Sequence, residues 1–315
     1  MRRHYVIFNP ASGRGRGAKR LTSYEGLLRE RLSHVDFGTT EGPGHERQLA
    51  ERALDDGYDV IVAVGGDGTW SNVADRIVAS GREDVALGVL PSGTGNDFGR
   101  NLGFRPADAA EAVRILAEGH LRTVDVGRVE TPSASEHEPE RFEPRHFINL
   151  VGFGFDIAVF DAASKARFLR GELLYKLTAL QQLFRFPGIY LGVEDGTGTI
   201  HDGRHLMLTV SNGRYFGGGF PIAPDATVDD GNLHACMIAD AAPLGRLRLF
   251  NLAEKGRHPS SNRVTLVHEA QFRLTFDTPP RFEMDGDVRR AGDTAMDVRL
   301  LPRALRVVAP ERSPD

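Results

Sequence analysis

The sequence predicts an α/β domain followed by a mostly β domain, a β-sandwich. Three observations carry that reading. Up to Leu121, short apolar runs alternate with helical patterns, as parallel α/β units require. The strand-like runs there end in Gly, Pro or Ser, where an open α/β sheet keeps its ligand crevice. Beyond Leu121, short candidate strands separated by turn signals dominate, as in a sandwich. A length of 315 residues suits two domains. We place the first at 1–122 and the sandwich at 123–300, with an inserted helix near 155–186. The segment 301–315 is expected to return to the first domain.

In order, Tyr5 to Phe8 reads as a strand and Ala18 to Leu32 as a helix. Val35 to Thr39 is a strand, His45 to Leu54 a helix, and Asp59 to Val64 a strand. A helix from Thr69 to Ala79, a strand from Val85 to Leu90 and a helix from Ala107 to Glu118 complete the first part. The later strands are Thr123 to Val129, His146 to Val151, Ile189 to Val193 and His205 to Ser211. Leu233 to Ile238, Arg263 to Val267, Gln271 to Phe276 and Met296 to Leu300 follow. In the inserted helix, Leu169, Leu173, Leu177, Leu180 and Phe184 recur at helical spacing, with Lys165, Arg167, Arg170, Lys176 and Arg185 among them. That pattern suits a core-facing amphipathic helix, or alternatively an acyl-chain wall or membrane contact. Thr131 to Arg145 is polar, rich in Pro and Glu, and reads as a surface loop.

Composition narrows the function classes. Lys plus Arg is 39 against 43 Asp plus Glu, a net charge of −4, so there is no basic footprint for nucleic acid. A single cysteine, Cys236, excludes an intrachain disulfide and a Cys-rich zinc site and suits a reducing cytoplasm. No run nears the ~18 apolar residues that span a bilayer, so membrane contact is expected to be peripheral.

The chemistry lies in two glycine-rich loops, each after an apolar run. One is Gly65-Gly66-Asp67-Gly68-Thr69, and the other is Pro91-Ser92-Gly93-Thr94-Gly95-Asn96-Asp97. Glycine lets main-chain N–H groups close on an anion, and a loop opening a helix aims free N–H groups at it. Asp67 and Asp97 add negative charge, which sits beside phosphate only with a cation or a proton. That combination points to phosphoryl transfer. The bland alternatives are Asp67 as a helix N-cap and Asn96-Asp97 as a helix start. Asn9-Pro10-Ala11-Ser12-Gly13 is a third phosphate candidate, and Gly13 to Ala18 fits a loose G-x-G-x-x-A pattern. No P-loop and no serine-hydrolase elbow exists. His201 and His205 flank Asp202-Gly203, which reads as a turn, and they complete no zinc motif.

Two acidic turns remain. Ala226-Thr227-Val228-Asp229-Asp230-Gly231-Asn232 reads as an exposed Asx turn or a hard-cation site. Glu283-Met284-Asp285-Gly286-Asp287 sits between strand-like segments, and Asp285-Gly286 suits a hairpin turn, leaving Asp287 over.

These stretches resemble the soluble diacylglycerol/lipid kinase family, whose catalytic domain is shared with sphingosine and ceramide kinases. The resemblance rests on NPASG at 9–13, TTEGPGH at 39–45, GGDGTWSNV at 65–73 and PSGTGNDFGRNLG at 91–103. GFGFD at 152–156, SNGRYFGGGFPIAPDATVDDGNL at 211–233, EMDGD at 283–287 and LLPRALRVVAP at 300–310 continue it in the family's order. GGDGT alone also occurs in NAD kinases and resembles the phosphofructokinase loop; the ordered set is more specific.

The resemblance implies an NAD kinase/phosphofructokinase-like nucleotide domain, a β-sandwich, and an active site in the cleft between them. It implies ATP binding by Asn9, Pro10, Ser12, Gly13, Thr40, Gly66, Asp67, Gly68, Thr69, Trp70, Ser71, Asn72 and Thr94. It implies a Mg²⁺ site at Asp230 with the Thr227 and Asn232 carbonyls, and Asp287 as proton acceptor; to Asp67 we assign the substrate's Mg²⁺, reached through water, and assistance to Asp287. Two positions depart from the family: Asp287 stands for the usual Glu, and Ser71-Asn72 for the usual Asn-Glu. The expected activity is ATP-dependent phosphorylation of a lipid hydroxyl, diacylglycerol-like or sphingoid-like, by a cytoplasmic enzyme working peripherally at the inner membrane face. A homodimer is compatible with this. The rivals are a soluble-substrate kinase of the NAD kinase kind and a non-catalytic lipid-binding homologue.

Overall fold

The computed structural model describes residues 2–15, 17–92, 95–106, 108–131, 144–165, 181 and 183–311. Thr94, most of the loop expected at 131–145, and Leu169, Leu173, Leu177 and Leu180 lie outside them.

The first half winds a parallel sheet. Strands β1 (His4–Phe8), β2 (Val35–Thr39), β3 (Val60–Gly65) and β4 (Ala86–Pro91) alternate with α1 (Gly17–Arg31), α2 (His45–Asp55), α3 (Asp67–Ala79), α4 (Asp97–Asn101) and α5 (Ala109–Glu118). The order across the sheet is β4-β3-β1-β2, all parallel. All six residues of β3 are buried, as a strand covered on both faces demands. Leu28 of α1, Ile77 of α3 and Leu116 of α5 pack on it, each burial contributing about 1.5–3 kcal/mol. Gly88 of β4 permits that approach: a Cβ there would stand 2.7 Å from Leu116 Cδ1. Asp108 caps α5 by accepting the Glu111 N–H at 2.9 Å, and Gly119, at φ 67°, ends it.

The second half is antiparallel. It comprises β5 (Leu121–Glu130), β6 (Arg145–Phe147), β7 (Leu150–Gly154), α6 (Phe155–Lys165), β8 (Ile189–Asp195) and β9 (Ile200–Ser211). There follow β10 (Tyr215–Phe216), β11 (Phe220–Pro221), β12 (Leu233–Ala239), α7 (Pro243–Glu254) and β13 (Val264–Glu269). The last strands are β14 (Gln271–Phe276), β15 (Arg281–Met284), β16 (Asp287–Arg290) and β17 (Ala295–Val308). Phe153, Leu208, Phe272, Phe282, Met296 and Val298 form its inner core. The architecture is a mixed α/β half joined to a β-sandwich.

The halves are stitched by a β5–β17 ribbon. The first part of β17 pairs with β14, and its end pairs in parallel with β4, Val307 opposite Leu87. The switch occurs where the β5 register shifts between Leu301 and Leu305 and Arg303 takes φ 53°. Asp125, buried on β5, accepts the Arg303 N–H at 2.7 Å and the Gly231 N–H at 2.8 Å, fixing the corner.

Three local readings change. Asp202-Gly203 is no turn: β9 runs through it, with Gly203 opposite Leu191 of β8, so strand pairing overrides turn chemistry. The span expected as one strand at 146–151 is two, broken at Ile148-Asn149. Helix α7 has no counterpart in the sequence reading. Pro243 opens it, and buried Arg246 holds it down through Asp240 and the Leu183 and Phe186 carbonyls.

Candidate active site

The carboxyl ends of the four parallel strands meet. β1 turns to β2 on one side and β3 lies on the other, so the β1/β3 boundary is the switch point where an open sheet leaves a crevice. Asn9 follows β1 and donates its main-chain N–H to Val64 at 3.0 Å, while Thr40 follows β2 and donates to Phe8 at 2.8 Å. Ser92, after β4, donates to Gly65 at 2.8 Å. Side chains tighten the cluster. Asn9 Nδ2 donates to Thr69 Oγ1 at 2.9 Å, and Ser12 Oγ bonds the Asn9 carbonyl at 2.7 Å and the Ser92 hydroxyl. Pro10 is half-buried beside them, and Gly13 turns the chain at φ 60°.

Helix α3 opens here. Its N-cap is Gly66, so no side chain caps its first N–H groups, and they are left for an anion. Asp67 lies on the second loop: its Oδ1 accepts the Phe98 N–H at 3.2 Å, and a Cβ on Gly95 would stand 2.9 Å from Oδ2. Burial first, then the neighbouring Asp97, pushes the Asp67 carboxyl up to about 7. Asp97 is raised as well, chiefly by burial. It pairs with Arg100 and accepts the Gly218 N–H from the second half at 2.8 Å.

The other wall is the β15–β16 turn. Asp285 at φ 49° and Gly286 at φ 94° make the doubly left-handed turn that suits a two-residue hairpin. Buried Asp285 does more than turn. Its carboxylate accepts N–H groups of Ile148 at 2.7 Å, Asn149 at 3.0 Å and Leu150 at 2.9 Å, and it bonds Ser71 on α3. Burial nevertheless raises it to about 6. So anchored, the turn sits on the GGDGT loop. A Cβ on Gly68 would stand 3.1 Å from Asp287 Oδ1, and one on Gly286 would stand 3.7 Å from the Gly68 nitrogen. Asp287 is 45% exposed at the side chain, open to the cleft, and its Oδ2 takes Asn72 Nδ2 at 3.2 Å.

An apolar cavity, partly open to solvent, adjoins this turn. Phe155, Val159, Leu206, Ile222, Leu249 and Ala253 are among its walls. Asp156 forms its polar floor, and burial raises its carboxyl to about 7. Asp156 Oδ2 and Glu283 Oε2 both close on Gly152, and Glu283 Oε1 accepts the Gly286 N–H. Burial, then Asp156, holds the Glu283 carboxyl well above its usual range. The cavity floor thus connects to the Asp287 turn.

The remaining expected site residues divide. Trp70 is fully buried against Gly99, so its ring is core and only its main chain faces the crevice. Ser71 and Asn72 serve the Asp285–Asp287 turn. Thr227, Asp230 and Asn232 converge on one turn. Asp230 Oδ2 accepts the Thr227 N–H at 2.8 Å and meets His234 Nε2 at 3.0 Å, and Oδ1 accepts the Asn232 N–H at 2.9 Å. The turn is closed as an Asx turn, and the Asp230 carboxylate with the Thr227 and Asn232 carbonyls would be the donors offered to a hard cation there. Among the described residues, no group of three His, Cys, Asp or Glu side chains stands ready to hold a metal. Two functional candidates, Glu46 and Asp156, were not singled out from sequence. For Asp156 the available signal was an acid directly after the apolar run Val151 to Phe155.

The chain is similar to known proteins over both halves. Residues 3–129 match the family described as diacylglycerol kinase catalytic domain, and 149–309 match the YegS C-terminal NAD kinase beta sandwich-like domain. A diacylglycerol kinase of Mycobacterium tuberculosis (strain ATCC 25618 / H37Rv) is 29% identical over 320 residues, covering 98% of this chain and 97% of that protein. One from Staphylococcus aureus (strain MRSA252) is 28% identical over 312 residues, covering 98% and 93%. A crystal structure of a diacylglycerol kinase from Bacillus anthracis str. Sterne superposes with a TM-score of 0.71 at 19% identity, covering 98% of this chain and 97% of that one. The last likeness concerns the fold alone.

Proposed function

We propose that the chain, which belongs to the diacylglycerol kinase family, transfers the γ-phosphate of ATP to a lipid hydroxyl. The observation that carries this reading is the seating of Asp287, from the sandwich half, on Gly68 of the phosphate-type loop. Phosphoryl transfer needs positioning and charge neutralisation more than covalent chemistry. Mg–ATP enters as substrate. Gly66, Gly68 and Thr69 lie at the uncapped start of α3, where main-chain N–H groups suit its phosphates. Asn9 holds Thr69 in place, and Thr40 closes the crevice on the β2 side.

The acceptor is a lipid because a cavity of apolar side chains adjoins the site and shares its polar floor with the catalytic turn. In this reading the acyl portion lies along Phe155, Leu206 and Leu249. The hydroxyl points toward Asp287, which takes its proton as phosphorus–oxygen bonding develops; a base must lie within hydrogen-bond reach of that proton. Asp67 stands at the loop junction, where its raised carboxyl ionises near neutrality and can meet the substrate's cation.

The test is incubation with labelled ATP, Mg²⁺ and total cell lipid, with NAD in a parallel reaction, and identification of the product by mass. A phosphorylated lipid is the expected product. Label only in NADP, or none in any lipid, overturns the reading.

A further inference from the structure

We infer that Glu46, on a helix outside both glycine loops, positions Asp287 through Asn72. The inference rests on the reading of Asp287 as the proton acceptor. Glu46 lies in the first turn of α2 and is 5% exposed. Burying a carboxylate there is costly unless it is bonded. Among the described residues it makes no ion pair with Arg, Lys or His within 4.0 Å. Its Oε1 instead accepts from Asn72 Nδ2 at 2.8 Å, and the same nitrogen lies 3.2 Å from Asp287 Oδ2. A primary amide has two N–H hydrogens. One goes to each carboxylate, so Asn72 bridges Glu46 and Asp287.

The geometry fixes the amide. The Asn72 nitrogen faces two acids, and its oxygen faces Arg289 NH2 at 3.5 Å. A flipped amide would set its oxygen against both carboxylates, which is repulsive. Without Glu46, nothing on the α2 side holds the nitrogen toward Asp287. Arg289 NH2 is also 3.5 Å from Asp287 Oδ2, so it could draw the acid away from the cleft. Glu46 is therefore a positioning residue that keeps the Asp287 carboxylate over Gly68.

The test is a double-mutant cycle on kcat in the full chain, with Glu46→Ala, Asn72→Ala and the double variant. Misplacement at the reacting atoms should lower kcat at least about tenfold in Glu46→Ala, with KM for ATP unchanged within about twofold. In the Asn72→Ala background the same substitution should cost less than about twofold, since coupled residues are not additive. Glu46→Gln, which can still accept from Asn72, should recover activity to within about threefold of the parent. Equal losses in both backgrounds, or a rise in KM alone, would show a merely structural role and overturn the inference. A second readout needs no turnover: hydrogen exchange of the Asn72 side-chain amide, followed by ¹⁵N NMR. It should quicken at least about tenfold in Glu46→Ala, and an unchanged rate overturns the inference by itself. Loss of lipid kinase activity by Asp287→Asn beside an unaffected Glu46→Ala would sink the Glu46 role and leave the proton acceptor standing.

Discussion

Replacing Gly68 with Ala should separate stability from activity. Gly68 lies in the first turn of α3, and its φ is not positive, so Ala fits the backbone. By helix propensity alone the change should stabilise the protein by about 0.5–1 kcal/mol. The new methyl, however, would stand 3.1 Å from Asp287 Oδ1, 3.5 Å from Asp287 Cγ and 3.6 Å from the Asp285 carbonyl. Ordinary van der Waals contact begins several tenths of an ångström farther out, so the acid must retreat. Asp285 is tied to three N–H groups, so the retreat falls on the exposed side chain of Asp287 rather than on the turn. Misplacing a reacting group by a fraction of an ångström to one ångström costs roughly 10–100-fold in rate. The expected result is a melting temperature equal to or above the parent, with kcat for lipid phosphorylation down about 10–100-fold. Scanning calorimetry and a steady-state assay read the two. Full activity in Gly68→Ala would refute the argument that Asp287 works where this geometry puts it.

Other outcomes follow from the same contacts. Asp67 is raised from 3.8 to about 7, so between those values the native state binds more protons than the unfolded chain. Its contribution is complete below 3.8 and is lost as pH climbs through about 7; Asp67→Asn should therefore remove part of the stability loss between pH 5 and pH 8. Discounted for partial exposure, the difference should be about 1–2 kcal/mol, and parallel pH–stability curves would contradict it. Ala253→Phe should fill the apolar cavity and lower kcat/KM for long-chain lipid acceptors about tenfold, leaving KM for ATP unchanged; equal effects on short and long acceptors would argue against acyl binding there.

Much of the fold was legible because period and punctuation agree in it. The runs Val35–Thr39 and Gln271–Phe276 are strands at the residues where alternation stops at a turn signal. Helix α7 was hidden because Gly245 in its first turn lowers its local helix preference. Tertiary anchoring through Arg246 decides it. Asp202-Gly203 misled for the converse reason: a strong local turn signal yielded to pairing with β8. The site shows the same division. Clustered glycines next to apolar runs mark Gly66, Gly68 and Gly95 without any tertiary knowledge. Trp70 looks like part of the loop in sequence, and only the helical period of α3 carries it into the core. Glu46 resembles an ordinary acid in a helix first turn. Its partner Asn72 is 26 positions away and Asp287 a further 215, so no local pattern joins them.

The proposed role of Asp287 predicts kcat for lipid phosphorylation in Asp287→Asn, measured beside Mg–ATP affinity and melting temperature. The variant keeps the side-chain shape and removes the proposed proton acceptor. Loss of a general base costs about 10²–10⁴-fold, so kcat should fall within that range while nucleotide affinity holds within about threefold. The half-exposed side chain should leave the melting temperature nearly unchanged. Parental kcat in Asp287→Asn would contradict the account.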